Sequence, residues 1–191
     1  MAKSSKIKEL LKKEDSVLVF DVDGVLAVSE FGEYTHYELI DKDWDASCKA
    51  GKIYYSEDKV SPKMQEFLKQ KDMSRIYVVT ASGTSIEGES KKDFVNKYYD
   101  IPRENVYYIE RDKSKLDTLK KIKENYPKLE DYKLIMIDDT CSVLNQIMEN
   151  SHFSTAHISS FLDIWKFLKK VTINYKFIWY DDFYVDIIKV R

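Results

Sequence analysis

Short runs of apolar and β-branched residues recur along the chain at 17–20 (Val17-Leu18-Val19-Phe20), 76–79 (Ile76-Tyr77-Val78-Val79), 106–109 (Val106-Tyr107-Tyr108-Ile109), 134–137 (Leu134-Ile135-Met136-Ile137) and 152–158. Unbroken runs of this kind predict strands buried on both faces. Between and after them, residues 62–70, 92–99, 116–125, 143–149 and 161–169 place apolar side chains at helical spacing. Ser61 ahead of Pro62 suits an N-cap followed by proline in the first turn. Near the start, Ile7, Leu10 and Leu11 share one helical face and Lys3, Lys6, Lys8, Lys12 and Lys13 the other, which reads as a solvated helix packed on its own domain. Strand and helix in alternation imply right-handed crossovers and an α/β fold, a Rossmann-like, doubly wound, mostly parallel sheet. Such sheets bind ligands at the carboxyl ends of their strands, so the chemistry is expected just after Phe20, Val79, Ile109 and Ile137.

Two stretches break the rhythm. Residues 29–60 show no clear period yet crowd together Phe31, Tyr34, Tyr37, Trp44, Tyr54 and Tyr55. They read as a small cap or flap inserted after the first strand, overhanging the site, with most of these aromatics filling its own core. Residues 172–180 and 183–190, joined at Asp181-Asp182, read as a C-terminal β-hairpin. The expected organisation is one domain over residues 1–191 carrying these two additions. The hairpin either covers its own sheet or serves a homodimer or another partner through an edge strand.

Composition narrows the function. With 191 residues, 43% hydrophobic and 34% charged, and a formal net charge of −2, the chain is globular and no bulk electrostatic binder of nucleic acid. No apolar run approaches a membrane span and no secretory core follows the first residues, so a cytoplasmic protein without membrane contact is expected. Cys48 and Cys141 are too few and too far apart for a disulfide framework or a Cys-x-x-Cys zinc site. The five glycines form neither a dinucleotide fingerprint nor a Walker loop.

The strand ends carry the chemistry. The first run leads into Asp21-Val22-Asp23-Gly24, where carboxylates two apart face one side and glycine lets the backbone turn away. The fourth ends in Asp138-Asp139, which adds acids to the same edge if the two strands are neighbours. Oxygen ligands without His or Cys select a hard cation, Mg²⁺ above all. The second run ends in Thr80-Ala81-Ser82-Gly83, with hydroxyls and free backbone N–H groups for a phosphoryl oxygen; Thr80 is the first candidate ligand and Ser82 the alternative. After the third comes Arg111-Asp112-Lys113-Ser114-Lys115, whose lysines would offset repulsion between an anionic nucleophile and an anionic substrate; Lys115 competes for this role with Lys113 and Lys91. Asp139 is either a metal ligand or an acid at a helix start.

In this order, each at a strand end, Asp21-x-Asp23-Gly24, Thr80, Lys115 and Asp138-Asp139 resemble the haloacid dehalogenase (HAD) superfamily over roughly residues 16–158. Within it, Lys113-Ser114-Lys115-Leu116-Asp117 with its lysine-rich helix, Ile137-Asp138-Asp139 and Ser82-Gly83 are locally similar to the 3′-phosphatase half of polynucleotide kinase–phosphatases. The resemblance implies a phosphatase in which Asp21 attacks phosphorus and Asp23 is general acid, then base. It also implies a Mg²⁺ held by Asp21, the backbone carbonyl of Asp23 and Asp138, with Asp139 as ligand or supporting partner. Thr80, Ser82 and Lys115 would bind the phosphoryl group. An Asp two residues after the nucleophile is absent from the superfamily's dehalogenases and transport ATPases, which favours phosphatase or phosphomutase chemistry. The expected substrate is a phosphorylated nucleotide or nucleic-acid 3′-end, with a small-metabolite phosphate as the alternative. A binding or assembly module that retains the fold without catalysis is the reading from a different class.

Overall fold

The structure is a computed structural model describing residues 2–28, 41–50, 55, 59–161, 175–177 and 187–189. Helix α1 (Ala2–Lys12) leads into strand β1 (Val17–Phe20), whose four residues are all buried. A sharp turn follows: the amides of Val25, Leu26 and Ala27 all donate to the carbonyl of Val22, and Gly24, at φ +70°, donates to Ala27. Strand β2 (Ala27–Val28) then pairs antiparallel with β3 (Lys59–Val60), so chain leaving the sheet edge returns beside its exit. Within that excursion lies helix α2 (Asp41–Lys49).

Helix α3 (Pro62–Leu68) starts as the sequence predicts, with the Ser61 side chain accepting from the Met64 amide and proline in the first turn. Strand β4 (Ile76–Ser82), helix α4 (Ser85–Tyr99), β5 (Val106–Glu110), α5 (Lys115–Glu124), β6 (Leu134–Asp138), α6 (Cys141–Asn150) and β7 (Ser154–His157) complete the alternation. The five main strands are parallel and run β5-β4-β1-β6-β7 across the sheet. The expected Rossmann-like doubly wound sheet is therefore present. Chain order turns back at β1, and the crevice beside it is where such sheets place ligands.

Alternate residues of the strands serve different faces. Val17, Val19, Tyr77, Val79, Leu134 and Met136 join Leu116, Leu119, Ile122, Leu144 and Ile147 of α5 and α6 in one core. Leu18, Phe20, Val78, Ile135 and Ile137, pointing the other way, are equally buried, so both faces are covered.

Two boundaries differ from the sequence reading. Strand β4 runs on through Thr80, Ala81 and Ser82, because these pair with Tyr108, Ile109 and Glu110 of β5. Helix α4 begins at Ser85, seven residues before its apolar period becomes visible at 92. Thr84 caps it by accepting from the Glu87 amide, and Gly88 passes so close to the Tyr108 ring that a Cβ there would sit 2.4 Å from it.

The chain divides into two compact units, Met1–Ser159 and Ser160–Arg191. In the second, β8 (Tyr175–Phe177) pairs antiparallel with β9 (Ile187–Lys189). The Asp181-Asp182 turn, the helix expected over 161–169 beyond Phe161, and Phe31, Tyr34, Tyr37 and Tyr54 of the insertion lie outside the described residues. No helix among the described residues is long and apolar enough to cross a membrane.

Candidate active site

Strands β1 and β6 are neighbours, with Phe20 level with Ile137, so the residues that follow them emerge side by side. The Asp21 amide donates to the Ile137 carbonyl (2.9 Å), carrying the ladder one step past β1 and fixing where the Asp21 side chain starts. Carboxylate oxygens of Asp21, Asp138 and Asp139 lie within 4.8 Å of one another. Asp138 is fully buried, with both oxygens held: Oδ1 accepts from the Thr140 amide (2.8 Å) and Oδ2 from Lys115 Nζ (2.8 Å). Lys115 Nζ also lies 3.0 Å from Asp21 Oδ1, a buried oxygen with no other polar partner among the described residues.

Position along α5 explains the lysine. Lys115 is the first residue of the helix and Ser114 caps it, so the helix start delivers a buried ammonium to the edge where β1 and β6 end. Lys113, its rival in the sequence reading, is 62% exposed and pairs with Glu110 and Asp112 instead. Burial pushes the Asp21 carboxyl above its ordinary value; Lys115 opposes this, while Asp138 and Asp23 add to it. Burial alone would lower the Lys115 ammonium, but Asp21 and Asp138 hold it raised and charged.

Gly24 makes the third carboxylate possible. A Cβ at that position would lie 2.2 Å from Asp139 Oδ2, and φ +70° disfavours any side chain there as well. The Asp139 loop is held from behind: the Ser159 amide donates to His157 Nδ1 (3.2 Å), so Nε2 carries the proton and donates to the Asp139 carbonyl (2.9 Å).

Asp23 faces a different set of partners. Its Oδ1 accepts from the Tyr55 hydroxyl (2.6 Å) and its Oδ2 pairs with Lys91 Nζ (2.7 Å). Lys91, 1% exposed, also meets Glu87 Oε1 at 2.9 Å and donates to the Ala81 carbonyl. It is therefore the counter-ion of Asp23 and the buried Glu87. Glu87 Oε2 accepts from the Gly83 amide (2.8 Å) and from Arg111 (3.1 Å), and Arg111 reaches on to Asp45 of α2 (2.9 Å).

Thr80 and Ser82 are buried at the end of β4, beside β1, and neither hydroxyl has a hydrogen-bond partner among the described residues. No hydrogen bond joins them to the Asp21 cluster among the described residues. Of the backbone N–H groups expected here for an anion, the Gly83 amide is taken by Glu87, and the strand continues through Ser82 beside β5. Trp44 and Tyr55 are buried, edge to face at 6.3 Å, and Tyr55 meets Phe94 at 6.3 Å. These two aromatics thus pack inward.

Sequence reasoning gave no individual role to Tyr55, Glu87, Asp45 or His157. A Glu87-x-x-x-Lys91 pair at helical spacing was the one local signal, hidden because α4 was expected to begin after it.

No protein-family model and no curated protein matches the chain. Among solved structures it is similar to DsGPDH of Dunaliella salina, with 14% identity over 80% of this chain and 25% of that one and a TM-score of 0.48. It is similar also to the HAD domain of effector protein Lem4 from Legionella pneumophila, with 13% identity over 83% and 94% of the two chains and a TM-score of 0.46. A third is a haloacid dehalogenase-like family hydrolase from Streptococcus pneumoniae, with 16% identity over 70% and 80% and a TM-score of 0.45. The chain spans about a quarter of the length of the Dunaliella protein.

Proposed function

We propose that the chain is a Mg²⁺-dependent phosphomonoester hydrolase that works through an aspartyl-phosphate on Asp21. The observation that carries this reading is the convergence of the Asp21 and Asp138 carboxylates on Lys115 Nζ, at 3.0 and 2.8 Å, with Asp139 alongside. The donor set among the described residues suits the metal: three carboxylates without sulfur or imidazole, one Asp21 oxygen being buried with Lys115 as its neighbour. Asp21, Asp138 and Asp139 would hold the ion, with the Asp23 carbonyl added by the family resemblance. When bound, Mg²⁺ would supply positive charge against the negative charge of the phosphoryl group.

Asp21 attacks phosphorus in line with the ester oxygen, forming an acyl-phosphate bond as the P–O ester bond breaks. The departing oxygen takes a proton from Asp23. Water then attacks the phosphoryl group, Asp23 takes its proton back, and inorganic phosphate leaves with Asp21 restored. Lys115 keeps positive charge beside the nucleophile throughout, and the hydroxyls of Thr80 and Ser82, buried without a described hydrogen-bond partner, are candidate donors at the adjoining strand end.

For the substrate we infer a nucleotide or nucleic-acid 3′-phosphate, from the local likeness of residues 113–117 and 137–139. A small-metabolite phosphate is favoured by a separate observation. Trp44 and Tyr55 spend their faces on the protein's interior, which removes two candidates for stacking on a base.

The test is phosphate release from an aryl phosphate, 3′- and 5′-nucleotides, a 3′-phosphorylated oligonucleotide and sugar phosphates, with Mg²⁺ or EDTA. We expect release that needs Mg²⁺ and vanishes in Asp21→Asn, and the best substrate decides between polymer and metabolite. A folded, Mg²⁺-binding protein that cleaves none of them would overturn the reading in favour of a binding or assembly role.

A further inference from the structure

Among the described residues of the insertion, Tyr55 touches the proposed general acid directly. Its hydroxyl lies 2.6 Å from Asp23 Oδ1, while Lys91 Nζ lies 2.7 Å from Oδ2. A carboxylate with a partner on each oxygen has its rotation about the Cβ–Cγ bond fixed, and which way an acid points decides whether its proton lies on the line to a leaving group. The two partners come from different elements, Tyr55 from the excursion between β2 and β3 and Lys91 from α4. Tyr55 is itself well held: 3% exposed, it packs on Trp44 and Phe94, with Lys91 Nζ 5.4 Å from the centre of its ring. A buried aromatic could have been phenylalanine at no cost to this packing, so the hydroxyl is the part that needs explaining.

We propose that Tyr55 is a positioning residue for the general acid: its hydroxyl, with Lys91, orients the Asp23 carboxyl toward the ester oxygen, so that proton delivery requires Tyr55 in place. This rests on the phosphatase reading above, in which Asp23 protonates the leaving group. The consequence is selective. An ester whose alcohol is a weak acid leaves only if protonated, whereas 4-nitrophenolate leaves unaided. Loss of the Tyr55 hydroxyl should therefore slow the first kind of ester and spare the second.

The experiment compares kcat/KM, which reports the steps up to ester cleavage, for an alkyl phosphate and 4-nitrophenyl phosphate in wild type, Tyr55→Phe, Asp23→Asn and the double variant. For Tyr55→Phe we expect a loss of about 10-fold or more on the alkyl ester and less than about 3-fold on the aryl ester, short of the roughly 10²–10⁴-fold that a whole general acid contributes, because only its orientation is lost. Any misfolded fraction lowers both rates alike and cancels in their ratio. In the Asp23→Asn background, adding Tyr55→Phe should change the alkyl rate little further, because the two residues act as one unit. Equal losses on both esters, or full additivity with Asp23→Asn, would overturn the inference and leave the phosphatase standing. No Asp21-dependent release of either ester from wild type would remove the phosphatase reading itself, and this inference with it.

Discussion

Asp21 is placed where a carboxylate is least comfortable. Burial raises its proton affinity above the ordinary value of 3.8, and Asp138 and Asp23 push the same way against Lys115. The sign for stability follows from linkage. A group whose pKa is raised on folding contributes fully while the pH is below its unfolded value and costs stability as the pH climbs through the folded value. In metal-free buffer, Asp21→Asn should therefore melt higher than wild type, with the gap absent near pH 3 and opening above about pH 4. Thermal melts in EDTA across that range check this, and a variant that melts lower throughout would refute it. Gly24 makes a second prediction at this scale. Gly24→Ala meets a positive φ, costing about 1–3 kcal/mol, and a Cβ 2.2 Å from Asp139 Oδ2. Calorimetric titration should show weaker Mg²⁺ binding by the variant, beyond what its lowered melting temperature alone accounts for. Asp21, Asp138 and Lys115 were legible in the sequence because each closely follows an unmistakable apolar run. Tyr55, Glu87 and Asp45 were not, because partners 32 residues apart, like Tyr55 and Asp23, leave no local pattern.

At the scale of elements, α4 ties separate parts of the chain together, and its C-terminal Tyr99 shows how. The Tyr99 hydroxyl donates to the Leu26 carbonyl (2.6 Å) and accepts from the Ser61 amide (2.8 Å), so one side chain secures the chain just before β2 and just after β3. Tyr99→Phe leaves a donor and an acceptor unpaired in a largely buried place, a loss of about 1–3 kcal/mol for each group so stranded. Burial raises the Tyr99 phenol from 10.0 to about 12, so its contribution is whole below pH 10 and is lost as the pH rises from about 10 to about 12. Denaturant unfolding should show wild type well ahead of Tyr99→Phe at pH 8 and the gap narrowing above pH 10; a gap constant with pH would contradict the assignment. The sequence concealed the first half of α4 because Ser85, Glu87, Gly88, Glu89 and Ser90 carry no apolar period, and their helicity comes from the Thr84 cap and from packing against Tyr108. The end of β4 was misjudged for a related reason. Thr80-Ala81-Ser82-Gly83 has the composition of a loop, and only pairing with β5 keeps its first three residues in the sheet.

Across the whole molecule, the doubly wound order was legible from alternation alone, but which strands touch was not, and the site depends on that adjacency. Placing β1 beside β6 brings Asp21 level with the end of a strand that itself finishes in acid, at the point where the sheet order turns back. The apolar core on one face and its counterpart on the other fix both strands, so the carboxylates cannot move apart to relieve their repulsion. Lys115 offsets part of it, since one ammonium stands against Asp21 and Asp138 while Asp139 adds a third acid within 4.8 Å. A divalent cation bound only by the folded chain would supply what is missing, and by mass action it stabilises that state by about 2.7 kcal/mol at a hundred times its dissociation constant. Mg²⁺ should accordingly raise the melting temperature of wild type and EDTA reverse the rise. Asp138→Asn should lose most of the rise, while Tyr55→Phe, whose lost hydroxyl is bound to Asp23, should keep it. A wild type whose melting temperature ignores millimolar Mg²⁺ would show that the three carboxylates are balanced by the protein alone, and the proposed chemistry would lose its metal.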